Sequence, residues 1–381
     1  MRLLFTTFTF PPQANGVAEV VAAQTRELAA RGHEVTVATS ADEARTDGDA
    51  GAVRVVPFRL TGGAGDAAEE VRRYRRFIAE FPADAILCHC WRSWPTDLAV
   101  EALPRNPAKA ILVSHGYSAH RWERYPRPPW GLGAWLRGLA YVARTPRALR
   151  SFDHAVFLSE RRDGDRFLDH RFVHWRGRPS SSVIPNGTYP GRFAAADGAG
   201  FRARHGLGAG PLVLCVATFA PSKNQELALR AFLRADCADA TLLLIGNTFN
   251  SYSDRLRASG APRVRWLAGL PRAEISAAYA AADLVVLSSR AESQPLVLLD
   301  AMAAGRAFVS TDVGCVSELP GGVVVRDERE MAEALRELLR QPERRAALGT
   351  AGRAACEQIY SWPRVADRYE ELLARLVSTP R

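Results

Sequence analysis

Leu284-Val-Val-Leu-Ser288, then Ser-Arg-Ala, then Glu292-Ser-Gln-Pro295-Leu-Val-Leu-Leu-Asp300, then Ala-Met-Ala-Ala-Gly305, Arg and Ala307-Phe-Val-Ser310 spell a strand, a loop, a helix and a second strand. The first and last runs are short, apolar and rich in valine, which suits strands buried on both faces. Pro295 stands where proline fits the first helical position, and Gly305 falls just past the helix end. A crossover helix between two strands makes them parallel. The start of that helix leaves the N–H groups of Leu296 and Val297 without intrahelical partners, so they can face an anion. Asp300 lies about 7–8 Å along the helix axis from Pro295, and Glu292 lies on the loop side. Two carboxylates bracketing an anion site suit the hydroxyls of a sugar and a ribose joined through a pyrophosphate. On residue chemistry alone they also fit a loop cap and a solvated helix face.

The same alternation extends in both directions. Upstream, strands are expected at Arg2–Thr9, Glu34–Thr39, Val53–Phe58, Ala85–His89, Ala110–Ser114, Ala155–Leu158 and Ser182–Ile184, with helices such as Gly16–Arg31, Ala67–Glu80 and Thr96–Leu103 between them. The pattern restarts after about residue 200, with strands at Leu212–Thr218, Thr241–Gly246, Val264–Ala268 and Val323–Val325 beside the two quoted above. Helices Gln225–Ala235, Ala273–Ala282 and Glu328–Arg340 lie among them. Two such series predict an α/β chain of two doubly wound, Rossmann-like domains facing a central cleft. The expected domains are 1–190 and 191–362, with a link near Thr188–Gly200 where Gly, Pro and Ala collect. Helices at about Glu343–Gln358 and Val365–Leu376 close the chain, and the segment 363–381 is free to pack back on the first domain.

Composition narrows the function. The chain has 381 residues, 47% hydrophobic and 24% charged, which suits two globular domains and excludes wholesale disorder. No apolar run reaches the roughly 18 residues of a membrane span. Met1-Arg2-Leu3-Leu4-Phe5 runs into threonines and Pro11-Pro12, so it reads as a buried first strand and not a signal peptide, and a cytoplasmic location is expected. The six cysteines lack zinc spacing and read as buried free thiols. Net charge is +9, but it is local: residues 121–150 hold seven arginines and one acid, Glu123. Lysine occurs only at Lys109 and Lys223, against 48 arginines. There is no G-x-G-x-x-G after a strand and no P-loop, so dinucleotide binding and P-loop chemistry are set aside.

Several segments together resemble the retaining glycosyltransferases of family 4, which have the two-domain GT-B architecture. The quoted 292–300 segment is similar to that family's E-x7-E region. Pro12-Gln-Ala-Asn-Gly16 with Glu27–Val37 resembles its first loop, helix and second strand. Val183-Ile-Pro-Asn-Gly187 resembles its signature before the interdomain link. Val264–Gly269, Tyr279–Asp283, Ser310–Gly314 with Glu318, and Tyr360-Ser-Trp362 continue the match. The resemblance implies transfer of a hexosyl-type sugar from a nucleotide diphosphate sugar, with retention and without a metal or other cofactor. UDP is expected over GDP.

Site residues follow from the same resemblance. His115, Glu292 and Lys223 take the catalytic positions, His115 near the donor sugar and acceptor, Glu292 on sugar hydroxyls and Lys223 on the pyrophosphate. Gly16, Thr218, Asn247, Gln294, Pro295, Leu296, Val297 and Asp300 would surround the donor. The survival of Lys223 in an arginine-biased chain independently suggests a specific point charge. Three positions depart from the pattern. Asp300 replaces a glutamate, Thr218 stands where an arginine is common, and Gln294-Pro295 stands for Phe-Gly. Asp47-Gly-Asp49 and Asp163-Gly-Asp165 lack the apolar strand that precedes a metal-binding D-x-D and read as solvated surface. The arginine-rich, aromatic stretch 121–150 suits an interfacial helix on an anionic membrane, or an acceptor-site lid, and the implied acceptor is a lipid-linked or envelope glycan. An epimerase on the same fold, an inactive homologue and a nucleic-acid binder are the rivals. The last leaves Glu292 and Asp300 unexplained, so no nucleic-acid partner is expected.

Overall fold

The computed structural model describes residues 1–44, 51–63, 65–117, 132–162, 167–177 and 179–379, with the backbone alone for 132–135 and 137. The chain divides into two units, Met1–Asn186 with Trp362–Arg381, and Gly187–Ser361.

The first unit is built on β1 (Arg2–Thr6), β2 (Glu34–Ser40), β3 (Val53–Phe58), β4 (Ala85–His89), β5 (Lys109–Val113), β6 (His154–Phe157) and β7 (Ser180–Val183). They form one sheet in the order β3-β2-β1-β4-β5-β6-β7, parallel throughout. Leu3, Leu4, Phe5, Ile86, Leu87, Ile111 and Leu112 have no exposed surface. That is the consequence of apolar runs covered by helices on both faces. β1 ends at Thr6, short of the expected Thr9, because the Thr7 hydroxyl donates to the carbonyl of Thr9 and turns the chain out of the ladder. The helix expected over Thr96–Leu103 starts earlier, at Trp94, and stops at Ala99. Pro104 then limits the chain to one 3₁₀ turn, Leu103–Arg105.

The final helix, Trp362–Ser378, packs on the helix Gly16–Ala30 of the same unit. It buries Val365, Ala366, Tyr369, Leu372 and Leu373, spaced as one helical face. Arg31 reaches Asp367 at 3.2 Å and Glu370 at 3.1 Å, and His33 lies 2.9 Å from Glu370.

The second unit holds β8 (Leu212–Val216), β9 (Thr241–Gly246), β10 (Val264–Ala268), β11 (Leu284–Leu287), β12 (Ala307–Thr311) and β13 (Gly322–Val325). The order is β10-β9-β8-β11-β12-β13, again parallel. The helix after β11 runs Leu296–Ala303, so Pro295 is its N-cap and not its first residue. Five of the six cysteines are buried and free; Cys237 is free but half-buried, a correction to the expectation for all six. Short helices at Leu168–Arg176 and Ser251–Arg257 lie outside the expected series. Each is only two turns or so, too short for its apolar period to stand out.

Candidate active site

In open parallel sheets, ligands bind beyond the carboxyl ends of the strands, where the strand order reverses. Each sheet has one such point, between β1 and β4 in the first unit and between β8 and β11 in the second. The candidate residues divide between these two places.

In the second unit, Lys223 comes from the loop after β8 and Glu292 from the loop after β11. The Lys223 ammonium donates to Glu292 Oε1 at 2.5 Å, with side chains 30% and 15% exposed. Two hydrogen bonds to backbone carbonyls hold the loops together: Ser288 Oγ donates to Lys223 O at 3.0 Å, and Arg290 N to Ser222 O at 2.9 Å. Asn224, in the left-handed region at φ 51°, ends the lysine loop and opens the helix Gln225–Ala235. Asparagine tolerates that conformation better than most residues. Burial pushes the Cys215 thiol up to about 12, with the nearby Lys223 charge pulling it back down. A third loop, after β12, supports Glu292 from behind. Gly314 has φ +58°, and a Cβ there would stand 2.2 Å from Ser293 O and 2.8 Å from Glu292 O. Cys315 N donates to the same Ser293 carbonyl at 2.9 Å.

The helix Leu296–Ala303 points its start toward this loop, and no side chain caps it among the described residues. Asp300 accepts a 2.7 Å bond from Thr188 Oγ1. Thr188 follows Val183-Ile-Pro-Asn-Gly187, so that segment delivers a hydroxyl to the Asp300 carboxylate. Its backbone is fixed by Thr188 N donating to Tyr360 O at 2.7 Å. Gln294 is buried and Pro295, Leu296 and Val297 follow it. Thr218 and Asn247 lie exposed after β8 and β9, and no side-chain bond joins either to Lys223 or Glu292 among the described residues.

In the first unit, Gly16 opens its helix, exposed, with the Asn15 side chain accepting from Ala18 N at 3.1 Å. His115 lies two residues beyond β5, its Nε2 3.0 Å from Nδ1 of His89 at the end of β4. Burial holds His115 down at about 4, so it is neutral at physiological pH. Beside it opens a cavity of about 660 Å³ with Phe8, Trp91, Arg92, Trp94, Asp97 and His115 among its lining residues. Indoles, a carboxylate and a guanidinium lining one cavity suit a polyol, which offers C–H faces and hydroxyls together. Cys90 and Arg92 both adopt positive φ, 71° and 51°, in the loop that forms one wall. Such backbone strain in residues other than glycine concentrates at functional sites.

Asp169, fully buried, ties this wall together. It accepts from Ser114 Oγ at 2.5 Å, Trp91 Nε1 at 2.6 Å and His170 N at 2.9 Å, while burial pushes its carboxyl up to about 6. Sequence reasoning missed Asp169, His89 and Thr188. The run Asp169-His-Arg-Phe carries no motif, and only long-range pairing reveals its contacts.

Asp47-Gly-Asp49, Asp163-Gly-Asp165 and residues 118–131 lie outside the described residues. Among the described residues, no group of three or more His, Cys, Asp or Glu side chains could hold a metal ion, and no helix is long and apolar enough to cross a membrane.

Residues 14–192 match the family described as Glycosyltransferase Family 4, and residues 210–341 match Glycosyl transferases group 1. The chain is 29% identical, over 98% of each chain, to the GDP-mannose-dependent alpha-(1-6)-phosphatidylinositol monomannoside mannosyltransferase of Mycolicibacterium smegmatis. It is 30% identical, over 72% of each chain, to the GDP-mannose-dependent monoacylated alpha-(1-6)-phosphatidylinositol monomannoside mannosyltransferase of Corynebacterium glutamicum. Among solved structures, the sucrose-phosphate synthase of Thermosynechococcus elongatus superposes with a TM-score of 0.80 over 98% of each chain at 20% identity, which carries the GT-B fold. Two family matches that between them cover every strand but β1, with a relative at 30% identity over 72% of each chain, establish that the chain belongs to glycosyltransferase family 4 and is a glycosyltransferase.

Proposed function

We propose that the chain transfers mannose from GDP-mannose to a lipid-linked, inositol-containing glycan with retention at the anomeric carbon. The Lys223–Glu292 pair at the β8/β11 switch point carries this reading. A cation and a carboxylate held in contact suit a diphosphate and the hydroxyls of the sugar attached to it. Lys223 then neutralises the departing diphosphate, helped by the uncapped start of the helix Leu296–Ala303. These groups supply leaving-group stabilisation without a metal. Asp300 holds the ribose, and the pocket beside His115 receives the acceptor. The expectation of uridine gives way to guanosine, because relatives matched over most of their length are named as GDP-mannose-dependent. Retention is supported by the pairing of an α-linked sugar in GDP-mannose with relatives named for alpha linkages.

Thermal shifts test the donor. A ligand at about 100 times its Kd stabilises by roughly 2.7 kcal/mol, which raises Tm by about 5–10 °C in a domain of this size. GDP is expected to give that shift and UDP little. A shift with UDP alone would reject the guanosine assignment, and β-configured product by NMR would reject retention.

Peripheral attachment to an anionic membrane belongs to the same reading. The helix Leu132–Ala148 exposes Leu136 and Leu139, 51% and 38%, followed by Ala143, Arg144 and Arg147 at helical spacing, with Arg150 just beyond. An apolar patch beside a basic one suits the headgroup boundary. At about 1 kcal/mol per arginine near an anionic surface, changing Arg144, Arg147 and Arg150 to glutamine weakens binding to phosphatidylglycerol vesicles by on the order of 10²-fold. Co-sedimentation reads this, with neutral vesicles as the control. Failure of the unaltered protein to pellet with either vesicle sinks the membrane assignment.

A further inference from the structure

His89 closes β4 with no exposed surface, and its ring stacks on Phe5 at a centroid separation of 5.6 Å. Its Nδ1 lies 3.0 Å from His115 Nε2, and its own Nε2 is buried with no hydrogen-bond partner among the described residues. One proton lies between the two rings, and the partnerless nitrogen says whose it is. If His115 donated from Nε2, a neutral His89 would accept at Nδ1 and carry its proton on Nε2. A buried N–H would then face nothing. If His89 donates from Nδ1, its Nε2 is only an unfilled lone pair. Buried sites tolerate an unfilled acceptor far more readily than an orphaned donor. A doubly protonated His89 is excluded by its burial and by the neighbouring His115, which together hold it well below the ordinary histidine range.

We propose that His89 is a positioning residue: it donates from Nδ1 to His115 Nε2 and fixes His115 as the tautomer protonated at Nδ1. The hydrogen bond made by one ring nitrogen sets what the other can do. With Nε2 accepting from His89 and Nδ1 protonated, His115 keeps no basic lone pair. It does not take the proton from the acceptor hydroxyl. This rests on the reading that the pocket beside His115 receives the acceptor.

Long-range ¹⁵N–¹H spectra of the full chain, labelled at its eight histidines, test the tautomer independently of any substrate. The unaltered protein is expected to show His115 protonated at Nδ1, assigned through loss of its signals in His115→Asn. His89→Phe keeps the ring bulk and removes the donor. It should let His115 exchange toward the Nε2–H form and lower kcat by on the order of 10²-fold, with donor KM changed less than about threefold. His89→Asn, whose amide N–H stands where Nδ1–H stood, should restore both spectrum and rate. His115 protonated at Nε2 in the unaltered protein overturns the proposal, as does an unchanged spectrum and rate in a folded His89→Phe. If His89→Phe does not fold, the spectrum of the unaltered protein decides alone. A spectrum that responds while kcat holds supports the proposal and overturns the placement of the acceptor beside His115.

Discussion

Replacing Lys223 with alanine is expected to lower kcat for sugar transfer by on the order of 10²–10³-fold, the usual cost of losing one preorganised group at developing negative charge. The geometry makes the effect specific. Lys223 is one of two lysines in the chain, and it meets Glu292 at 2.5 Å on loops that Ser288 and Arg290 hold together. Lys223→Arg should not rescue the rate, because a planar fork cannot occupy the place of a compact ammonium on a loop held this tightly. Stability should change less. Glu292 is 15% exposed and loses its cation, but Lys223 is 30% exposed and solvent screens the pair, so about 1–2 kcal/mol is the expected loss. Adding Glu292→Ala should recover much of that stability and none of the activity. A double-mutant cycle on Tm and kcat separates the two couplings. Lys223→Ala with kcat within about threefold of the unaltered protein, and an undiminished thermal shift with GDP, would overturn the donor site assigned here.

Lys223 shows why part of this site is legible in a sequence and part is not. Its rarity marks it as a candidate point charge, and the resemblance supplies the role proposed for it. Glu292 and Asp300 stand out as candidates because they are spaced about a helix start that follows a buried strand, while residue chemistry alone leaves a loop cap and a solvated helix face open. The strands themselves were visible as apolar runs, with errors at the ends where local side-chain bonds decide, as at Thr7, or proline does, as at Pro104. What stayed hidden depends on partners distant in sequence. The hydroxyl of Thr188 reaches Asp300 across 112 residues, and Asp169 receives Trp91 across 78. Neither Thr188 nor Asp169 sits in a pattern that announces burial. The nucleobase was hidden for another reason: the loops that would read it carry no periodicity, and the departures at Thr218 and Gln294-Pro295 blur what the resemblance supplied.

Gly314 tests whether the support behind Glu292 matters as much as Glu292 itself. Gly314→Ala is expected to fold with reduced stability and to lose activity by on the order of 10²-fold, although Gly314 has no side chain to offer a substrate. Two costs combine at this position. Alanine at φ +58° is strained by about 1–2 kcal/mol wherever it stands. Here its Cβ would also stand 2.2 Å from Ser293 O and 2.8 Å from Glu292 O, both backbone atoms that cannot rotate away. The Glu292 loop must therefore shift, and the carboxylate leaves Lys223. Gly260 supplies the control, since it has the same φ of +58° with nothing within 4 Å of a Cβ. Gly260→Ala should lose about the same strain energy, a few degrees of Tm, and keep both kcat and the thermal shift with GDP. The difference between the two variants isolates displacement of the loop from backbone strain. Equal losses of activity in both would mean that strain alone accounts for the effect, and that the loop after β12 does not set the position of Glu292.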